Sequence, residues 1–178
     1  MTVVEIIEAQ PDQAPALTAM FQLYWHDFSR FLPHEDAELA EDGRFGPPAF
    51  LDRYWRNEER LPLLIRVGGR LAGFALLNRY SRIGDPPDRA MAEFFVVRRH
   101  RRTGVGTIAA RLIFDRYPGQ WEVAVMRENR AALAFWKRAI RDHAGASAIV
   151  ERSGRDGDWN GTLFRFHVDP ERIPAPLA

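Results

Sequence analysis

The sequence predicts a single-domain α/β (α+β) protein with a mixed central sheet flanked by helices, covering residues 1–170 and followed by a C-terminal tail at 171–178. Three consecutive patterns carry this prediction. Phe94 to Val97 is an almost continuous apolar run, typical of a strand buried on both faces. A helical stripe over 105–113 and an alternating strand over 121–125 follow it. Strand, helix and strand in this order imply a parallel pair with a right-handed crossover.

The chain before this unit predicts a strand and two helices. Val3 to Ile7 is β-branched and indicates a first strand. A helix follows from Asp12 to about Leu32, and the acidic, Gly/Pro-containing stretch 34–48 is predicted as a loop. A second helix is expected around 50–55. The apolar face of the first helix consists of residues at three- and four-residue spacing: Leu17, Met20, Phe21, Tyr24, Phe28 and Phe31.

A hairpin is predicted next, with strands at Leu63–Val67 and Leu71–Leu77. Gly68 and Gly69 between them supply the positive φ angles that a two-residue turn needs. The stretch 80–89 contains one glycine and two prolines and is predicted as a loop.

After the helix ending near Tyr117-Pro118-Gly119, a short helix is expected from Asn129 to Ile140. Two last strands are predicted at 146–151 and 162–168, with a Gly/Asp-rich turn at 153–161 between them. The proline-rich tail after Pro170 is expected to fray.

The amino-acid composition excludes several kinds of site and makes others less expected. The 178 residues include 25 basic and 24 acidic side chains, so a net charge of +1 provides no overall attraction to nucleic acid or anionic membrane. The absence of cysteine excludes disulfides, thiolate metal sites and a cysteine nucleophile. Because the N-terminal segment carries acidic residues and no long apolar run, we expect no signal peptide or membrane span and a cytoplasmic location.

The segment Arg98 to Thr107 is the most informative for chemistry. It lies between a buried strand and a helix start, where free N–H groups and the helix dipole favour an anion. Gly104 and Gly106 remove Cβ atoms that would keep a phosphate away from those amides, and four arginines add charge. The alternatives to an anion site are that the arginines form only a solvated basic surface and that the two glycines only shape a turn. The spacing lacks the third glycine of a dinucleotide fingerprint and the Gly-Lys-Ser/Thr of a P-loop.

Two motifs resemble the GNAT acyltransferase superfamily. Residues 101–106, Arg-Arg-Thr-Gly-Val-Gly, are similar to its Arg/Gln-x-x-Gly-x-Gly/Ala motif. Residues 129–136, Asn-Arg-Ala-Ala-Leu-Ala-Phe-Trp, are similar to its Asn-x-x-Ala-x-x-Phe-Tyr helix. The motif-level resemblance covers about 93–140, and the order of predicted elements extends it to most of the chain. It implies a GNAT-like fold whose fourth and fifth strands, the parallel pair, splay apart.

The resemblance implies acetyl-CoA as co-substrate and N-acetyltransfer to a primary amine. Backbone groups of the fourth strand would pair with the pantetheine arm. Asn129 would cap its helix, contact the cofactor, or both; Phe135 would pack near the thioester, with core packing as the alternative. The implied cofactor-binding residues of the strand and the phosphate turn are Phe95, Val96, Val97, Arg101, Arg102, Thr103, Gly104, Val105, Gly106 and Thr107.

Glu93 is the candidate general base, as a carboxylate in an otherwise apolar strand whose burial would raise its pKa. The alternative is a strand-end carboxylate that faces water or pairs with an arginine. The resemblance implies a tyrosine acid where this chain has Trp136, whose indole N–H is not acidic enough for that role. Either the thiolate leaves without an acid, or another tyrosine reaches it. The tyrosines considered are Tyr24, Tyr54 and Tyr80.

The acceptor is expected to be a small-molecule amine or a peptide, and a homodimer is left open. Acidic residues near the first helix would attract a cationic amine. No metal site, nucleic acid or membrane partner is predicted. The main alternative is a catalytically silent acyl-CoA-binding module, and a second is nucleic-acid binding through the arginines of 98–102. The stretch considered for the acceptor contains His26, Asp27, Glu35, Asp36 and Glu38.

Overall fold

A computed structural model describes residues 3–32, 38–45, 50–82, 84–144, 150–156 and 159–170. They form a seven-stranded sheet of order β1-β2-β3-β4-β5-β7-β6 with three α-helices. The strands are β1 Val4–Glu8, β2 Leu61–Val67, β3 Arg70–Asn78, β4 Arg89–Val96, β5 Gly119–Met126, β6 Val150–Asp156 and β7 Trp159–Val168. The helices are α1 Ala14–Phe28, α2 Val105–Arg116 and α3 Arg130–Ala144.

The parallel pair β4–β5 is the feature that shapes the molecule. Every other pairing in the sheet is antiparallel, and α2 forms the crossover between these two strands. Their ladder joins only 89–91 to 121–123, although β4 continues to Val96 and β5 to Met126. Beyond Met91 the two strands diverge, so backbone groups on their facing edges lack the partners that a continuous sheet would supply. The mixed sheet and its splayed parallel pair confirm the predicted fold class.

Each face of the sheet is covered by a different helix set. On one face, α2 and α3 bury an aromatic core around Trp121, where Phe114 meets the indole edge-on at a centroid distance of 4.9 Å. On the other face, α1 packs Leu17 and Phe21 against Phe74 of β3. All these side chains are essentially fully buried. Truncating one of the large ones to alanine would cost about 3–5 kcal/mol, which makes the sheet a rigid platform for the diverging strands.

The hairpin between β2 and β3 is confirmed. Gly68 and Gly69 have φ angles of 56° and 75°, as a tight two-residue turn with positive φ at both positions requires.

Three predicted boundaries are wrong. The second helix is only a 3₁₀ segment, Leu51–Trp55. Strand β4 begins at Arg89 and not near Phe94, because backbone pairing to β3 and β5 extends past Glu93, the polar residue that ends the apolar run, as far as Arg89. The turn predicted over 153–161 is largely strand, since Ser153–Asp156 pair with residues 159–162. As the edge of the sheet, β6 needs pairing on one side only, and this tolerates a polar sequence.

Two of the predictions concern residues that the structure does not describe. The predicted tail at 171–178 and positions 146–149 of the predicted sixth strand lie outside the described residues. Within the described part of the chain, no helix has the length and apolar character needed to cross a membrane.

Candidate active site

A cleft of about 1060 Å³ opens where β4 and β5 diverge. Its walls come from α1, the segment after β3, both diverging strands and the start of α3. One end lies between the strands, beside Met126 and Asn129; the other lies under the aromatic face of α1. The cleft thus connects the gap in the sheet to a separate aromatic chamber.

Glu93 projects into the cleft from β4 and meets Tyr24 from α1. The Tyr24 hydroxyl donates a hydrogen bond of 2.5 Å to Glu93 Oε2. Burial raises the pKa of Glu93 from 4.5 to about 7, although the Tyr24 hydrogen bond and the charge of Arg82 both lower it. Burial, followed by the charge of Glu93, raises the pKa of Tyr24 well above its ordinary value. A carboxyl group with this pKa can accept and release a proton near neutral pH.

Two further tyrosines line the cleft. Tyr54 is 4% exposed, and burial together with the charge of Glu93 raises its pKa to about 12. Tyr80 stands at the rim and is 64% exposed. Trp136 is buried in the α2–α3 core, edge-on to Phe94 at 5.1 Å between centroids, and also contacts the cleft. The aromatic ring at position 136 therefore serves packing as well as the cleft wall.

The start of α2 has the geometry of an anion site. Gly104 is its N-cap residue with a φ of 87°, and no side chain caps the helix. A Cβ atom on Gly104 would meet nothing within 4 Å, and one on Gly106 would touch only side chains, the nearest being Phe135 at 3.4 Å. The glycine at 104 is needed for its backbone angle and leaves free space beside the amides of Val105, Gly106 and Thr107.

The side chains of the turn do not all face that space. The Thr103 hydroxyl donates to the carbonyl of His100 at 2.8 Å. Arg101 donates through Nε to the carbonyl of Val96 at 2.6 Å, and its Nη2 donates to Asp27 of α1. Arg101 therefore ties the end of β4 to α1. Arg102, with a φ of 60°, is exposed to solvent.

Only part of the predicted backbone site on β4 faces the gap. The N–H of Val97 donates to the carbonyl of Ala72 on the β3 side at 2.8 Å. Since backbone groups alternate sides along a strand, those of Phe95 also face β3, whereas those of Phe94 and Val96 face the gap. The side chains of Phe95 and Val96 are buried in the core.

Asn129 and Phe135 occupy the far side of the gap. Asn129 Oδ1 accepts a hydrogen bond of 3.1 Å from the N–H of Ala132, so Asn129 is the N-cap of α3, and it also lines the cleft. Its side-chain NH₂ remains as a possible donor to a ligand. Phe135 stacks on Phe94 at 5.7 Å, close to Gly106. Asn129 therefore caps a helix and Phe135 packs against another aromatic ring, which are the structural roles given above as alternatives to cofactor contact.

A buried polar group that sequence reasoning missed holds the cleft's outer loop. Glu122 of β5 is 2% exposed; it pairs with Arg165 of β7 at 3.0 Å and accepts from the Ser81 hydroxyl at 2.8 Å and the Arg82 N–H at 2.9 Å. These bonds anchor the segment that carries Tyr80 and Arg82 into the cleft. In the sequence Glu122 is one polar residue in an alternating strand, which gives no sign of its burial.

The acidic stretch considered for the acceptor does not form part of the cleft in the described residues. Asp27 pairs with Arg98 at 3.6 Å and with Arg101, and His26 and Glu38 are exposed outside the cleft. Glu35 and Asp36 lie outside the described residues. Among residues that the structure describes, no group of three or more His, Asp or Glu side chains is arranged to hold a metal ion.

Comparisons with known proteins agree with this geometry. The family model described as "Acetyltransferase (GNAT) family" matches residues 17–140. A search of curated proteins finds no match.

Solved structures with a similar fold include three acetyltransferases of low identity. A GNAT-family acetyltransferase from Staphylococcus aureus has a TM-score of 0.61 at 12% identity, over 94% of this chain and 100% of that one. An acetyltransferase from Thermus thermophilus has a TM-score of 0.61 at 16% identity, over 94% and 100%. The PaiA N-acetyltransferase from Thermoplasma acidophilum, in complex with coenzyme A, has a TM-score of 0.57 at 12% identity, over 93% and 99%. With its family model covering most of its length and its sheet splayed at the cleft, the chain belongs to the acetyltransferase (GNAT) family.

Proposed function

We propose that this protein transfers an acetyl group from acetyl-CoA to a primary amine by direct attack of the amine on the thioester. The observation that carries the proposal is the position of Glu93: a carboxyl group with a pKa of about 7 stands in the cleft between two diverging strands. The uncapped start of α2 supports a coenzyme A site at the same gap.

The residues that would hold acetyl-CoA follow from this arrangement. The amides of Val105, Gly106 and Thr107 would bind the diphosphate, with exposed Arg102 adding charge. The gap-facing backbone of Phe94 and the N–H of Val96, whose carbonyl already accepts from Arg101, would pair with the pantetheine arm. The Asn129 side chain would donate a hydrogen bond to the cofactor. Acetyl-CoA supplies an acyl group activated as a thioester.

Glu93 is the proposed general base. The amine nitrogen forms a bond to the carbonyl carbon, the carbon–sulfur bond breaks, and the amine proton passes to the Glu93 carboxylate. Tyr24 is a positioning residue, because its hydroxyl holds Glu93 by a 2.5 Å hydrogen bond.

Neither Tyr24 nor Tyr54 is suited to protonate the leaving group. A thiol has an ordinary pKa of about 8.5, whereas the pKa values of Tyr24 and Tyr54 are raised above 10. Proton transfer from either phenol to a thiolate is therefore uphill, and the thiolate leaves as an anion that takes its proton from water. On this proposal, a tryptophan at position 136 is compatible with acetyl transfer.

The test is thiol release from acetyl-CoA across a panel of primary amines at pH 8, compared between wild type and Glu93→Gln. We expect release that depends on an amine and falls about 100-fold or more in the variant. The alternative, a silent acyl-CoA-binding module, is favoured only by Trp136; it predicts coenzyme A binding with no amine-dependent release. No binding and no release would refute both.

A further inference from the structure

The charges in the cleft point to the kind of amine that enters it. Three arginines, Arg53, Arg60 and Arg82, line the cleft, and no carboxylate lies within ion-pair distance of them in the described part of the chain. Of the acidic residues there, Glu122 is paired with Arg165 and Glu128 is exposed on the surface turn before α3. Apart from Glu93, the chamber under α1 thus presents cations to a ligand.

One corner of the cleft contains donors without an acceptor. The Tyr54 hydroxyl is buried and forms no hydrogen bond of good geometry with any described residue. The Arg60 guanidinium lies over the Tyr54 ring at 5.3 Å. The charge of Arg60, and N–H groups of Asn78 and Arg60 directed at the Tyr54 oxygen, oppose the rise in the pKa of Tyr54 that burial causes. The Asn78 Oδ1 accepts from the N–H of Tyr80, so its NH₂ group is the part directed at the Tyr54 oxygen.

We call Arg60, Tyr54 and Asn78 the donor corner. A guanidinium, a hydroxyl and an amide NH₂ converge there, and no described residue accepts from the Tyr54 O–H. A buried O–H without an acceptor costs free energy unless a ligand accepts from it. A carboxylate has the negative charge and the lone pairs to accept from all three.

The donor corner and the proposed base belong to one chamber. The charge of Glu93 acts on the Tyr54 hydroxyl, so the two groups are close to each other. The wall between them is aromatic and comes from one face of α1 and the segments next to it: Tyr24, Trp25, Phe28, Phe31 and Phe50. A small molecule that spans both groups would therefore place an apolar body against these rings.

We infer that the acceptor is an amino carboxylate with an apolar or aromatic body, whose carboxylate binds the donor corner while its amine reaches Glu93. This inference rests on the proposed acetyltransfer and specifies its acceptor. It also disfavours polyamines, because a second or third ammonium group would lie beside Arg53, Arg60 and Arg82.

The experiment compares matched amines that differ only in the carboxylate. L-phenylalanine, L-phenylalaninamide and phenethylamine are assayed by thiol release with saturating acetyl-CoA, alongside L-leucine, L-leucinamide, isoamylamine and spermidine. In parallel, each compound is tested for a shift of the melting temperature in the presence of coenzyme A. We expect kcat/KM, or the affinity in the melting assay, to be at least about tenfold higher for the amino acid than for its amide and its decarboxylated amine.

Substitutions in the donor corner test whether it is the site that recognises the carboxylate. Arg60→Gln and Tyr54→Phe should each reduce the ratio of kcat/KM between phenylalanine and phenethylamine by about tenfold, whereas Arg56→Gln, an exposed arginine outside the cleft, should leave that ratio unchanged. Because the ratio is taken within one preparation, a smaller folded fraction does not alter it.

Equal rates and affinities for the three phenylalanine compounds, or a preference for spermidine, would overturn the inference while leaving the proposed acetyltransfer intact. Coenzyme A binding without any response to the whole panel would overturn it as well. Failure of coenzyme A itself to bind would instead overturn the proposed function on which the inference rests.

Discussion

Replacing Glu93 by glutamine should stabilise the folded protein above neutral pH while it abolishes most of the activity. Glutamine keeps an oxygen that accepts the Tyr24 hydrogen bond, so the variant removes the ionisable group and little else. Both effects come from removing the ionisable group: the variant avoids the cost of a charged carboxylate in the cleft, and it lacks the proposed base.

The size of the gain follows from the pKa of Glu93. Burial raises it from 4.5 to about 7, so the folded state binds this proton more tightly than the unfolded chain does. Below pH 4.5 the group is protonated in both states and has no effect. As the pH rises from 4.5 to 7, the wild type loses about 1.4 kcal/mol per pH unit relative to the variant, and the loss levels off at about 3 kcal/mol above pH 7.

The assay is urea unfolding of the ligand-free wild type and Glu93→Gln at pH 4.5, 6, 7 and 8. The difference in the free energy of unfolding should grow through this range and level off above pH 7. Glu128→Gln removes an exposed carboxylate of the same cleft and should show no such growth. In wild type, kcat/KM should rise with a midpoint near pH 7, as the base becomes ionised. A constant difference across the range, or a less stable variant at pH 8, would refute this account of Glu93.

Three further changes test other parts of the site. Tyr24→Phe removes a hydrogen bond that lowers the pKa of Glu93, so the midpoint of the pH–kcat/KM profile should move to higher pH; an acidic shift or none would contradict this. Gly104→Ala forces a side chain into a φ of 87° and should cost about 1 kcal/mol in urea unfolding and about tenfold or more in coenzyme A affinity by calorimetry; an unchanged affinity would contradict the anion site. Glu122→Ala leaves Arg165 without its partner and should destabilise the fold by about 3–5 kcal/mol in urea unfolding, whereas a loss under 1 kcal/mol would show that the buried pair is not needed.

Local patterns were sufficient for much of the fold, including the glycine-containing turn at the start of α2. The stripe of α2 and the Gly68-Gly69 turn depend on neighbours in sequence, and the structure confirms both. The N-cap role of Asn129 is local in the same way, since its acceptor bond reaches only three residues along the chain.

Contacts between distant segments account for what the sequence could not indicate. Tyr24 and Glu93 are 69 residues apart and meet only because α1 packs across β3 and β4. Asp27 looked like a group that would attract an amine, yet the packing of α1 places it against Arg101. Burial of Glu122 depends on β7 supplying an arginine from 43 residues away. Such contacts depend on tertiary packing, which cannot be inferred from the periodicity of the sequence.

The most direct test of the account is calorimetric titration of coenzyme A, compared with adenosine 3′-phosphate and with pantetheine, the two parts of coenzyme A that remain when the diphosphate is removed. We predict one binding site per chain for coenzyme A, and binding of each part that is at least 100-fold weaker, because the main anchor is the set of free amides at the start of α2. Equal affinity for coenzyme A and either part, or no heat with coenzyme A, would contradict the claim that this turn binds a diphosphate.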